Sequence, residues 1–171
     1  MAPRDKDMIE RVARATHIVS AFWVIALALI ILIDVTGRYL FSQPLPGATE
    51  VIKNSVVSIT FLQIPLAIYR GGMIRTTLIY GAVGPTWQRI LRSVANLCGL
   101  LFFLGTAFSS WGPALEALDV LEYELAGAFR VPTYPVRFLV AMTSLFAAYV
   151  YLYLFYLDWT GQLPEVEPVN A

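Results

Sequence analysis

The residues able to do chemistry are few, and most stand at the edges of long uncharged stretches. Asp34 and Arg38 are four apart, Glu50 and Lys53 three apart, and Glu50, Asn54 and Ser58 follow one another at intervals of four. On a helix such spacings place each set on one face. Asp34 with Arg38 is an ion pair that marks a membrane boundary or, alternatively, anchors a partner subunit. The Glu50–Asn54–Ser58 stripe is costly against lipid tails, so it has to face protein or water. It is glue between helices of this chain, a face against another membrane protein or, with its single carboxylate near a helix end, a transport site. Gln63 points elsewhere, so the same helix is polar on more than one side. The chain holds one histidine, His17, and one cysteine, Cys98. These cannot supply two axial haem ligands, a zinc cluster, a CxxC pair or an internal disulfide. No Ser/His/Asp set and no phosphate-binding loop is present. The chain is expected to be no enzyme and to carry no catalytic, cofactor-binding or metal site.

The elements that position these residues follow from composition. Of 171 residues, 58% are hydrophobic and only 14% charged, against about 45–50% and about 25% in soluble domains. That little charge cannot coat a water-facing surface, so lipid replaces water over much of it. Twelve basic and twelve acidic residues cancel, which argues against nucleic acid as a partner. Uncharged stretches cover 15–33, 93–115 and 138–157, each near the ~20 residues a spanning helix needs. A fourth, 54–69, is shorter and more polar. It reaches spanning length only with Glu50 and Lys53 in its first turns. The expected architecture is an all-α integral membrane protein. Residues 1–14 form an N-terminal segment, 15–160 a four-helix domain with spans at about 15–36, 47–69, 90–112 and 135–158, and 161–171 a flexible tail. The first span exceeds the apolar core of a signal peptide and lacks a cleavage site, so it is expected to stay uncleaved.

Lysine and arginine set the orientation. With four spans, Arg4, Lys6, Arg11, Arg14, Arg70, Arg75, Arg89 and Arg92 gather on the side of the termini, and Arg38, Lys53, Arg130 and Arg137 on the other. The positive-inside rule then makes both termini cytoplasmic. Arg70, Arg89 and Arg92 lie at the inner headgroup level, where they read as topology signals or as lipid-headgroup contacts. On the outer side, Leu115, Leu118, Leu121 and Leu125 recur at helical spacing behind Pro113, beside Glu116, Asp119 and Glu122. That pattern predicts a short interfacial helix over 113–125. Pro65 is expected to kink the second span or free the Phe61 carbonyl. The run Tyr149, Tyr151, Tyr153, Tyr156 and Trp159 has the look of an interfacial aromatic belt.

In order along the chain stand DVTGRYLF (34–41), GATE (47–50) opening a polar second span, GGMIRTT (71–77), and VPTYP (131–135) leading into the last span. This ordered set resembles the small membrane subunit of TRAP transporters, the DctQ-like family, over roughly residues 15–160. In the third motif Gly72 and Arg75 match. Met73 stands where the family usually has His and Thr77 where it has Asp, so no role of those two is carried over. The resemblance implies a subunit of the bacterial inner membrane that pairs with a much larger membrane subunit. That partner holds the substrate and sodium sites and moves as an elevator, while a periplasmic binding protein delivers substrate, often an organic acid. On this reading Asp34, Arg38, Glu50, Asn54 and Arg75 are expected at the partner-subunit interface. The acidic Glu116, Asp119 and Glu122 are expected to receive the binding protein. A stand-alone small transporter acting as a homodimer is the alternative, and it needs an ionisable residue deep in a span. An accessory subunit of another membrane complex is a further one. A lipid-modifying enzyme would need a reactive cluster that is not there.

Overall fold

The computed structural model describes residues 3–70, 84–126 and 129–160. Helices α1 (Pro3–Phe41) and α2 (Ala48–Tyr69) are followed by α3 (Pro85–Asp119), strands β1 (Tyr123–Ala126) and β2 (Phe129–Pro132), and α4 (Tyr134–Thr160). All four helices are long and apolar enough to cross a membrane. Each of the four uncharged stretches falls inside one of them. Helix α2 takes Glu50 and Lys53 into its first two turns. The helical spans Met8–Phe41 and Thr86–Asp119 have 34 residues each, with charged residues toward their ends, and α2 has 22. At 1.5 Å per residue these are about 51 Å and about 33 Å long. The chain is thus a multi-pass membrane protein.

Helix α1 packs on α2, α2 on α4, and α4 on α3. The inner pair, α2 and α4, is accordingly the more buried, and α1 and α3 keep most of their apolar surface outside. Helix α4 buries Ala141, Ser144, Ala147, Ala148, Tyr151, Leu154 and Asp158, a repeat of three and four whose small members let neighbouring backbones approach. Its lower half carries the main apolar cluster, in which Tyr151, Tyr153, Leu154 and Leu157 meet Phe103, Ile68 and Ile9. The Tyr151 ring stacks on Phe103 at 5.9 Å. It also lies over Gly99, where a Cβ would stand 2.5 Å from the ring. The tyrosine run is therefore only partly a belt. Tyr149, Tyr156 and Trp159 are exposed, while Tyr151 and Tyr153 are core. The N-terminal turns of α1 bring Ile9 into the cluster with Tyr153, a contact that the periodicity of one helix cannot reveal. Between α1 and α2, the Trp23 indole donates to Ser55 Oγ at 3.1 Å. Helix α2 continues through Pro65, which is buried.

The short interfacial helix expected over 113–125 is not a separate element. Residues 113–119 are the last turns of α3, with Pro113 inside it. The helix then stops in a Schellman arrangement: the N–H of Leu121 donates to the Leu118 carbonyl, and that of Glu122 to the Ala117 carbonyl at 2.8 Å. Leu121 takes the left-handed position with φ 49°, where glycine is the usual occupant. From there β1 and β2 pair antiparallel, with Glu124 opposite Val131 and Leu125 opposite Arg130. Three leucines of the apparent helical repeat belong to the end of α3 and its cap. The fourth, Leu125, belongs to a strand in which side chains alternate.

Candidate functional site

The end of α1, the start of α2, the end of α3, the hairpin and the start of α4 meet at one end of the molecule, tied by charged groups. Asp34 is buried at 6% exposure near the end of α1. One carboxylate oxygen accepts from Arg38 Nε at 2.9 Å and the other from the backbone N–H of Leu45 at 2.8 Å. The side chain thereby folds the 42–47 connection back onto α1. The connection ends at Gly47, whose φ of 82° suits glycine and strains other residues. It is the N-cap of α2.

Two further ion pairs strap the hairpin down. Lys53 Nζ on α2 donates to Glu124 Oε1 on β1 at 2.6 Å. Arg137 on α4 grips Glu122 with both Nε and Nη2, at 2.7 and 2.8 Å. Glu122 and Glu124 thus face the helices. On the opposite face the Arg130 guanidinium lies 4.7 Å from the centre of the Tyr123 ring, and Leu125 is 69% exposed. Beneath the hairpin lies a cavity of about 410 Å³, lined by Lys53, Asn54, Glu122, Glu124, Thr133 and Arg137, among others. Asn54 Nδ2 and Glu124 Oε2 are buried without a hydrogen-bond partner. An apolar groove of about 770 Å³ adjoins it. The groove is lined by Leu104, Phe108, Trp111, Gly112 and Leu145, and it shares Ser109 and Pro113 with the cavity.

At the other end of the bundle, Arg92 Nε donates to Asp158 Oδ1 at 3.1 Å, and Ser93 Oγ lies 3.5 Å from Oδ2. Asp158 is 1% exposed. This pair locks the start of α3 to the end of α4.

The residues singled out in the sequence distribute unevenly over this frame. Asp34 and Arg38 are joined, with the carboxylate turned inward. Asn54 lines the cavity, and Ser58 is fully buried with its hydroxyl on the Asn54 carbonyl. Glu50 is half-buried in the first turn of α2. Arg75 lies outside the described residues. Glu116 and Asp119 are exposed on the last turns of α3, while Glu122 is engaged by Arg137. Arg70 and Arg89 are exposed, but Arg92 is spent on Asp158. Asp158, Glu124 and Arg137 were legible only as boundary or loop charges. The one available signal was that Arg92 and Asp158 bound consecutive spans at the same end. Among the described residues no three His, Cys, Asp or Glu side chains group closely enough to hold a metal ion.

A family model described as "Tripartite ATP-independent periplasmic transporters, DctQ component" matches residues 27–161. Searches of curated proteins and of solved structures gave no match.

Proposed function

The chain belongs to the DctQ family, the small membrane component of tripartite ATP-independent periplasmic transporters, and on that premise we propose that it is the fixed frame against which a larger elevator-type subunit moves. In this reading the complex resides in the bacterial inner membrane with both termini of this chain cytoplasmic. It takes up organic acids with sodium and receives them from a periplasmic binding protein at the hairpin end. The carrying observation is the pairwise packing of the helices. With α2 and α4 in the middle, α1 and α3 present broad apolar faces on either side, as suits a subunit that widens a membrane-embedded scaffold. Among the described residues the two buried aspartates, Asp34 and Asp158, are both held by arginines. Such groups fasten helices and do not shuttle protons, which favours the frame over a self-sufficient exchanger.

Affinity purification on a tag at this chain, followed by mass analysis, tests the reading. A larger hydrophobic membrane subunit is expected to co-purify. Transport by this chain alone in proteoliposomes would refute it. For the docking role, Glu116 and Asp119 are the clean probes, because Glu122 also holds the hairpin. Their joint change to Gln and Asn is expected to lower uptake and flatten its salt dependence, since exposed charges steer encounter and are screened by salt. Unchanged uptake with an unchanged salt profile would remove the acidic face from docking.

A further inference from the structure

We propose that the polar, short-chained face that α2 turns out of the bundle is where a transmembrane helix of the larger membrane subunit packs. The occupant rests on the frame reading; which face it covers is the new assignment.

The polar stripe legible on α2 is taken up within the chain, since Asn54 lines the cavity under the hairpin and Ser58 is fully buried. The residues of α2 left exposed beyond its first turn are Lys53, Val56, Val57, Thr60 and Ala67. At 3.6 residues per turn they fall within about 100° of arc, so they form one face along the helix. Gln63 stands at its edge, half-buried. The other helices turn outward what hydrocarbon tolerates. Phe22, Leu29 and Leu32 on α1, Phe102 and Phe108 on α3 and Leu152 on α4 are all more than half exposed. Among the described residues, α2 adds only Val56 and Val57 to the exposed large apolar side chains.

Depth and chemistry argue against lipid as the cover. Thr60 lies near the middle of the 22-residue helix and Gln63 three residues further, both within the ~30 Å of hydrocarbon. A carboxamide has two donor hydrogens and an acceptor oxygen to satisfy, and lipid tails satisfy none of them. The Thr60 hydroxyl donates to the Val56 carbonyl at 2.8 Å, so toward a neighbour it offers lone pairs only. Valine, threonine and alanine are short, which lets a second backbone come close enough to use these groups. Lys53, about 10 Å above Thr60, gives one ammonium hydrogen to Glu124 and keeps two. The fitting occupant is a spanning helix with small residues opposite Val56 and Thr60. It carries a hydrogen-bonding side chain at the depth of Gln63 and an acceptor at the depth of Lys53. A second copy of this chain fits worse. It would meet the face with itself across a two-fold axis, setting Lys53 against Lys53 at one depth. The family is one component of a tripartite transporter, so an unlike membrane neighbour is at hand.

The test places a photocrosslinking residue at Thr60 of the tagged full chain in its native host, and mass analysis identifies the purified adduct. An adduct with the larger membrane subunit is expected. An adduct with a second copy, or with lipid alone, overturns the assignment. Thr60→Phe should cut the larger subunit recovered on the tag about tenfold by its bulk, and Gln63→Leu severalfold, as loss of one hydrogen bond gives. Thr60 is exposed, so Thr60→Phe should leave the circular dichroism and melting of the isolated chain as in wild type, which separates a lost contact from a lost fold. Should that variant misfold, the crosslink decides. Wild-type recovery of the larger subunit in both variants overturns the proposal. If no larger membrane subunit co-purifies with the wild-type chain, the frame reading fails and the assignment with it. If one co-purifies and the Thr60 probe does not reach it, the face alone is wrong.

Discussion

Asp158 shows how much one side chain can fix in an apolar bundle. Its carboxylate is sealed from solvent and answered by Arg92 across 66 residues of sequence. Removing one partner of such a pair strands the other charge and costs about 3–5 kcal/mol, whereas replacing both with apolar groups is often neutral. Asp158→Ala is therefore expected to lower the thermal midpoint in detergent well below wild type, and Arg92→Leu together with Asp158→Leu to recover most of the loss. A thermal melt followed by tryptophan fluorescence measures both. Gly99 makes the converse point about space. Its position beneath Tyr151 leaves no room for a side chain, so Gly99→Val should destabilise by about 1–3 kcal/mol through overpacking, while Gly105→Ala should fall within about 0.5 kcal/mol of wild type. Leu121 stores strain in its left-handed backbone, and Leu121→Gly should recover about 1 kcal/mol. If that variant is instead less stable, the exposed Leu121 side chain contributes more than its backbone strain costs. Little of these three roles is visible in the sequence beyond Arg92 and Asp158 bounding consecutive spans at one end, because each depends on a neighbour brought by another element or on a local φ. The Asp34–Arg38 pairing is visible, because its spacing of four needs only one helix.

At the scale of elements, the hairpin is the feature that pattern alone misplaces. Leucines at 115, 118 and 121 are a true helical repeat, and nothing in composition marks where it ends. What ends it is the αL residue and the alternation that follows, in which Glu122 and Glu124 face cations on α2 and α4 while Tyr123 and Leu125 face away. The straps are half-exposed, so each contributes about 0–1 kcal/mol. Lys53→Ala is accordingly expected to leave global stability almost unchanged and to raise hydrogen exchange over 120–132 severalfold, since local opening responds to local contacts. Exchange equal to wild type would mean that the Arg137 grip suffices on its own. The spans, by contrast, are legible from sequence because a charge inside hydrocarbon is expensive. The gaps between charges locate the four helices but not their ends, since α1 begins twelve residues before its gap and runs eight beyond it, and α2 needs its own polar residues to reach full length.

For the whole molecule, family membership and four apolar helices were both accessible from ordered motifs and charge gaps. The packing of α1 on α2, α2 on α4 and α4 on α3 was not, since periodicity says which face of a helix is apolar and not which neighbour it meets. On the frame reading, the chain expressed without its partner should expose the apolar flanks of α1 and α3. It should then self-associate in detergent-poor buffer, shifting to a defined heteromeric species on co-expression. Light scattering coupled to size exclusion distinguishes the two, and a stable monomer in both conditions would count against the frame.

The unequal helix lengths bear on how the protein meets membranes of different composition. The inner helix α2, at about 33 Å, nearly equals the ~30 Å of hydrocarbon it crosses, while helices α1 and α3 extend about 20 Å further and carry charges in their end turns, among them Glu10, Arg11 and Arg14 on α1 and Arg89, Arg92, Glu116 and Asp119 on α3. Those charged turns project beyond the lipid tails into the headgroup layers. Length beyond the hydrocarbon is therefore greatest in the two outer helices and least in α2. When acyl chains lengthen, the outer helices have turns to spare and α2 has none, so the charged strap in its first turns is the first to be drawn toward oil. The close fit of α2 makes the strapped end of the subunit its part most sensitive to bilayer thickness.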